Sequence, residues 1–223
     1  MLFTRTPQEE VSHKSLMAKR KVSEQKRFFQ RLVEHARWLG HKSGLAFFVV
    51  DSCCQQGHTF GERLEQAFAA FFARGFSKVI IMGNDCAQLR TEDIRNAATL
   101  LQQKAAVFGP AQDGGVYLLG LDKALFEQNT GFSQIHWQTS TVFSELQAWC
   151  GNFETINLDP VYSDLDSYQD VRFAFYAKHL PQEFLFALKT LFTNIKNPSS
   201  RILIFVKSYL TPSFSFRGPP LFC

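Results

Sequence analysis

Residues 55–89 read QQGHTFGERLEQAFAAFFARGFSKVIIMGNDCAQL, and residues 106–122 read AVFGPAQDGGVYLLGLD. The pivot of the first stretch is Val79-Ile80-Ile81-Met82, a short β-branched run between two helical patterns that ends in Gly83-Asn84-Asp85. Such a run is the signature of a strand buried on both faces of a parallel sheet. In open α/β sheets, ligands bind beyond the carboxyl ends of the strands. Asp85 falls at such an end. A carboxylate there either helps to hold a divalent cation, as Mg²⁺ sites with one or two carboxylates do, or caps the helix that follows.

Outward from this run the elements alternate. A polar loop, Gln55-Gln56-Gly57, enters an amphipathic helix at Phe60 that runs to Arg74. Thr91 reads as the cap of the next helix, with Asp93 in its first turn. Ala105 to Phe108 and Val116 to Gly120 read as further strands, joined by a tight Asp113-Gly114-Gly115 turn whose glycines allow close approach of a ligand. Asp113 either contacts that ligand or bonds its own backbone. Towards the N-terminus, Met1 to Thr4 reads as a first strand, Arg5 to Ser15 as a polar loop, and Ser23 to Leu39 as a helix stopped by Gly40. Leu45 to Val50 reads as a second strand ending at Asp51. Towards the C-terminus, Thr139 to Trp149 reads as a helix ending at Gly151, and Phe153 to Leu158 as a strand. A helix over Leu180 to Ile195 and a Pro- and Phe-rich tail from Thr211 complete the chain.

Composition agrees with one soluble domain. The chain has 223 residues, 45% hydrophobic and 20% charged, enough for a single substantial core. Its 24 Phe predict aromatic packing. A net charge of +4 permits a small anionic ligand without arguing for nucleic acid. Cys53, Cys54, Cys86, Cys150 and Cys223 make an odd count without metal-finger spacing, which suits reduced thiols in a cytoplasmic protein. Cys86 reads as a small buried residue rather than a nucleophile, because no histidine lies near it in sequence. No signal peptide and no membrane span are expected.

The pieces and their order resemble a family of bacterial GT-A-fold, glycosyltransferase-like proteins of the selenodomain-associated transferase type. That family lies within the nucleotide-diphospho-sugar transferase superfamily and is more distantly related to 2-phospholactate guanylyltransferase. The residues that carry the likeness are Gln56-Gly57, Phe60 to Leu64, Ala67-Phe68, Gly83, Asp85, Leu89, Gly109 to Ala111, Asp113 to Gly115, Tyr117 to Leu121, Ile135, Trp137, Thr139, Val142, Asp164, Asp166 and Asp170. The resemblance covers most of residues 1–171, taken as the transferase-like domain, with 172–223 as a helical extension and tail packed on the core or on a second subunit of a homodimer. It implies a three-layer α/β/α fold with a mostly parallel central sheet. It also implies Mg²⁺ or Mn²⁺ held by Asp85 and Asp166, with Asp85 and Asp113 as catalytic carboxylates. Arg5, Lys14, Gln56 and Arg63 would meet a nucleotide or nucleotide-sugar, and Gly114, Gly115, Tyr117 and Trp137 would face an unknown small-molecule acceptor. Arg63 reads equally as an ion-pair partner of Glu62 or Glu65, and Trp137 as an interior anchor. Asp170 reads as a helix-capping residue.

The chain departs from the family at two points. Glu10 stands where the first loop of the relatives has a glycine, which puts Glu9-Glu10 in a segment expected to meet phosphate. Ala87 stands where a proline usually follows the strand-end aspartate. The reading is therefore a metal-dependent glycosyl- or nucleotidyltransferase, with a catalytically degenerate binding protein on the same scaffold as its rival. A dinucleotide-dependent oxidoreductase and a P-loop enzyme are both disfavoured, since neither GxGxxG after the first strand nor GxxxxGK[ST] occurs.

Overall fold

Six strands form one sheet in the order β2-β1-β3-β5-β4-β6. The structure, a computed structural model, describes residues 1–13, 22–165 and 169. The strands are β1 (Leu2–Phe3), β2 (Val49–Val50), β3 (Lys78–Met82), β4 (Ala106–Pro110), β5 (Val116–Asp122) and β6 (Thr155–Asn157). The helices are α1 (Pro7–His13), α2 (Val22–Lys42), α3 (Phe60–Ala73), α4 (Thr91–Leu100), α5 (Lys123–Gln128) and α6 (Val142–Cys150), with a 3₁₀ turn at Phe132–Gln134. β1 pairs in parallel with β2 and β3, and β4 in parallel with β6, while β5 runs antiparallel to both β3 and β4. Five strands thus share one direction, and the α/β fold with a mostly parallel sheet is the observed one.

Alternation along the strands feeds two cores. Val79 and Ile81 of β3, with Ala106 and Phe108 of β4, meet α3, α6 and the 3₁₀ turn on one face. Ile80 and Met82, with Val107, meet α2 and α4 on the other. The first core is aromatic, as the phenylalanine content predicts: Phe68 lies edge-on to Phe132 at 5.6 Å, and Phe72 lies 5.2 Å from Phe126. Phe28, Phe29, Phe68, Phe108 and Phe132 are fully buried, each worth about 1.5–3 kcal/mol of apolar transfer.

Several expectations are corrected. Residues 7–13 are helix, not loop. Thr6-Pro7-Gln8-Glu9 is a capping box with proline at the first helical position: the Glu9 carboxylate accepts from Thr6 N at 3.3 Å and the Glu9 amide reaches Thr6 Oγ1 at 3.5 Å. The helix ending at Leu39 continues through Gly40 to Lys42, and Ser23 lies inside it rather than at its cap. Gly40 serves packing rather than termination, since a Cβ there would stand 2.0 Å from the Phe47 ring. β2 is only Val49–Val50, because its sole neighbour in the sheet, β1, offers two residues to pair with. α4 begins at Thr91 after the cap residue Arg90, whose N–H donates to Asp93 Oδ2 at 2.9 Å. α5 was not anticipated; Asp122 caps it, accepting from Ala124 N at 2.6 Å. No helix among the described residues is long and apolar enough to cross a membrane. The expected helix over 180–195, the tail, Lys14, Asp166 and Asp170 all lie outside the described residues.

Candidate functional site

The sheet has a switch point. From β1 the chain crosses to β2 on one side, then returns to β3 on the other. α2, after β1, packs on one face, and α3, after β2, packs on the opposite face. The carboxyl ends of β1 and β3 at this point, called the β1–β3 crevice below, are the place where open α/β sheets bind ligands.

Side chains fix the lips of this crevice. Gln55 Nε2 donates to the carbonyls of Thr4 (2.9 Å) and Val50 (3.2 Å), tying the loop after β2 to the end of β1. Ser52 donates to the Glu9 carboxylate, which joins α1 to the same loop. That bond, ahead of those from Thr6, holds the Glu9 carboxyl below its usual range. Glu10 is turned inward and buried. The two acids are therefore structural parts of α1 rather than an anionic loop, which corrects the expectation drawn from Glu9-Glu10. Across the crevice, Thr4 Oγ1 donates to Asn84 Oδ1 at 3.0 Å, joining the ends of β1 and β3.

Asp85 follows directly. One of its carboxylate oxygens is buried, and its carbonyl accepts from Leu165 N at 3.1 Å. The segment 160–165 runs along the sheet edge. Tyr162 pairs beside Ala111, Gln112 N donates to the Tyr162 carbonyl at 2.9 Å, and Ser163 N donates to Gln88 Oε1 at 3.1 Å. This course brings Asp164 into the neighbourhood of Cys86, whose thiol is pushed well above its ordinary range, first by burial and then by the Asp164 charge. Such a thiol stays protonated, in keeping with a buried structural cysteine. Among the described residues no group of three or more His, Cys, Asp or Glu side chains could hold a metal ion. Asp85 thus provides a single carboxylate at the strand end, a donor set that suits a cation completed by substrate phosphates.

The Asp113–Gly115 turn occupies the same edge, between β4 and β5. Asp113 Oδ1 accepts from Gly115 N at 2.9 Å, so one carboxylate oxygen closes its own turn. Gly114 has a φ of +89°, and a Cβ there would meet the Ser140 carbonyl at 2.0 Å. Glycine is required on both counts, and the 137–141 segment closes over it. Tyr117 is buried behind the turn, 3% exposed, its ring 5.0 Å from Tyr162 and its hydroxyl donating to the Pro160 carbonyl at 3.1 Å. Trp137 lies half-buried between Phe60 (5.7 Å) and Phe132 (5.1 Å), and Nε1 donates to the Phe132 carbonyl at 3.0 Å. These contacts are those of an interior anchor. His136 sits against Glu145, Nδ1 to Oε2 at 3.0 Å.

On the α3 side, Thr59 and Glu62 form a capping box. Hydrogen bonds from the His58 and Thr59 amides hold the Glu62 carboxyl below its usual range. Arg63 bonds neither acid named for it. Its Nε and Nη2 donate to the carbonyls of Gly57 (3.1 Å) and His58 (3.2 Å), bracing the loop that carries the exposed Gln56. Arg5 stands half-buried where β1 passes into α1. The sequence reading missed Asn84 and Gln55, whose partners lie 80 and 51 residues away in the chain.

The family described as "Uncharacterized protein conserved in bacteria (DUF2064)" matches residues 19–139. No curated protein matches the chain. Among solved structures, a protein of Desulfovibrio desulfuricans G20, provisionally named a nucleotide-diphospho-sugar transferase, is 18% identical, with 94% of each chain covered and a TM-score of 0.64. Rv0371c of Mycobacterium tuberculosis H37Rv is 14% identical, covering 80% of this chain and 96% of that one, at a TM-score of 0.45. Its complex with manganese is 15% identical, covering 77% and 94%, at 0.44. Of the three, the Desulfovibrio structure alone bears on the fold.

Proposed function

The chain belongs to the bacterial DUF2064 family, and from that premise we propose that the β1–β3 crevice is the site of a metal-dependent transferase using a nucleotide or nucleotide-sugar donor. The observation that carries this reading is the switch point, which gathers Arg5, Asp85 and the Asp113–Gly115 turn at one edge of the sheet. The fold shared with the Desulfovibrio protein is consistent with it.

In this reading Asp85 and Asp166 hold Mg²⁺ or Mn²⁺. When bound, such a cation would supply charge neutralisation at the donor's diphosphate. Arg5 and Lys14 add fixed positive charge on the β1 side. Arg63 acts one step back, because its guanidinium braces the Gly57-His58 carbonyls and so sets the position of Gln56. The acceptor side is the Asp113–Gly115 turn, in which Gly114 packs against the Ser140 carbonyl, Asp113 serves as the second catalytic carboxylate, and Tyr117 and Trp137 support that wall from behind.

One observation favours a second reading, a binding protein without turnover. The glycine expected in the first loop is replaced by Glu10 within α1, so the backbone there is committed to a helix.

Thermal unfolding against nucleotides and nucleotide-sugars, with and without Mg²⁺ or Mn²⁺, separates these. A donor at about 100 times its dissociation constant adds about 2.7 kcal/mol to stability. The transferase reading expects a metal-dependent rise in Tm that disappears in Asp85→Ala, followed by turnover once the donor is known. A rise without turnover under any acceptor favours the binding protein. No rise with any donor removes both.

A further inference from the structure

We propose that Asn84 is a ligand-binding residue whose side-chain N–H₂ donates to a phosphate or ribose oxygen of the nucleotide; this rests on the reading of the β1–β3 crevice given above.

Asn84 is 6% exposed, at the carboxyl end of β3. Its Oδ1 is satisfied by Thr4 Oγ1 at 3.0 Å. Its Nδ2 is buried and has no hydrogen-bond partner among the described residues. Native interiors rarely leave a buried amide nitrogen unpaired, because the desolvation penalty goes uncompensated. With Thr4 Oγ1 donating to Oδ1, the donor Nδ2 is the amide atom left over.

The position of the orphaned donor is fixed from both sides. Gly83 N donates to the Tyr117 carbonyl at 3.4 Å, and the Asp85 carbonyl accepts from Leu165 N at 3.1 Å. The backbone on either side of Asn84 is therefore pinned, and the Thr4 bond orients the amide against the end of β1. Asn84 is thus a neutral donor beside the acidic Asp85, at the switch point of the sheet. The two residues offer complementary chemistry. The carboxylate attracts a cation and repels an anionic oxygen, while the amide N–H₂ donates to that oxygen at no cost in charge. A nucleotide with its metal presents both partners together.

The test compares wild type with Asn84→Leu and Asn84→Asp, using ADP, CDP, GDP and UDP, each with Mg²⁺. Binding is read by calorimetry, and ligand-free Tm is measured in parallel. Leucine keeps the volume and removes the donor; aspartate keeps the shape and leaves only acceptors. Both variants are expected to bind about tenfold or more weakly. Ligand-free Asn84→Leu should keep its Tm or gain, because an uncompensated donor has been removed. A structural role would move the readings the other way, with a fall in ligand-free Tm of Asn84→Leu and unchanged affinity in the folded fraction; that result overturns the inference alone. A wild type that binds none of the four, with Mg²⁺ or Mn²⁺, overturns the reading of the crevice as well.

Discussion

At the carboxyl ends of β1 and β3 the chain gathers polar side chains and bonds them to backbone: Gln55 to Thr4 and Val50, Thr4 to Asn84, Ser52 to Glu9. At the opposite end of the same sheet it gathers rings. There Phe47, Phe48, Phe71 and Phe76 line a cavity of about 230 Å³ between the starts of β1 and β3 and the end of α4. The cavity is the more obvious hollow, yet it offers little chemistry. Its one cationic side chain, Lys78, is already bound to the Leu101 carbonyl and, at 3.3 Å, to Asp122. Its volume is below the roughly 300–1,000 Å³ usual for ligand pockets. Hollowness and polar side chains are thus separated along the strand axis. The crevice end is where functional groups converge, and the cavity end is where bulky side chains fail to fill the space completely.

The sharpest way to break this contrast is at Gly114. Gly114→Val forces a β-branched residue into a positive φ and against the Ser140 carbonyl. We expect a loss of about 3 kcal/mol or more in urea unfolding, together with loss of any nucleotide binding. A variant as stable as wild type would mean that the turn and the 137–141 segment are not locked together. The next effect is smaller. Thr59→Ala removes the cap of α3 and should cost about 1 kcal/mol at neutral pH. Part of that box is pH-sensitive. The folded Glu62 carboxyl lies below its usual value of 4.5, so its contribution is complete above that pH and is lost as pH falls through the lowered value. Urea melts of both proteins should therefore lose stability in parallel across the acid range, because the Glu62 carboxylate accepts from backbone amides that Thr59→Ala keeps. The smallest effect belongs to the cavity end. Ala98→Leu, which grows into the void, should change stability by no more than about 1 kcal/mol and leave nucleotide binding unchanged. A change in affinity there would make the cavity, not the crevice, the place to look.

Much of this was legible in the residues. Val79 to Met82 announces a buried strand because its side chains pack on both faces, and the Gly83-Asn84-Asp85 ending marks the strand's carboxyl end. Two signals were present but passed over. Thr6-x-x-Glu9 with Pro7 has the form of a helix start, and the five residues between Pro110 and Val116 are too few for a parallel crossover, so β5 had to reverse. Other features could not be read locally. The weight of Asn84 depends on Thr4 at the far end of the N-terminal half, and Arg63 chose loop carbonyls over the neighbouring acids for reasons of geometry that spacing does not encode. Tyr117 and Trp137, aromatic and well placed along the chain, turned out to have their polar atoms occupied by Pro160 and Phe132.

The reversal of β5 has a kinetic consequence. β4 and β5 form a hairpin closed by a short turn, and β3 joins it through Met82 and Leu118, a modest separation. β1 must instead insert between β2 and β3, matching Leu2 to Val49 on one side and to Met82 on the other. Contacts of that span close slowly, because the chain between them has to be ordered before they contribute. The hairpin half should therefore assemble first, and the crevice should come into being only when the first four residues slot into place. A partly folded chain would then carry a nearly complete aromatic core and no site, so that binding competence reports on the last step of folding rather than on its bulk.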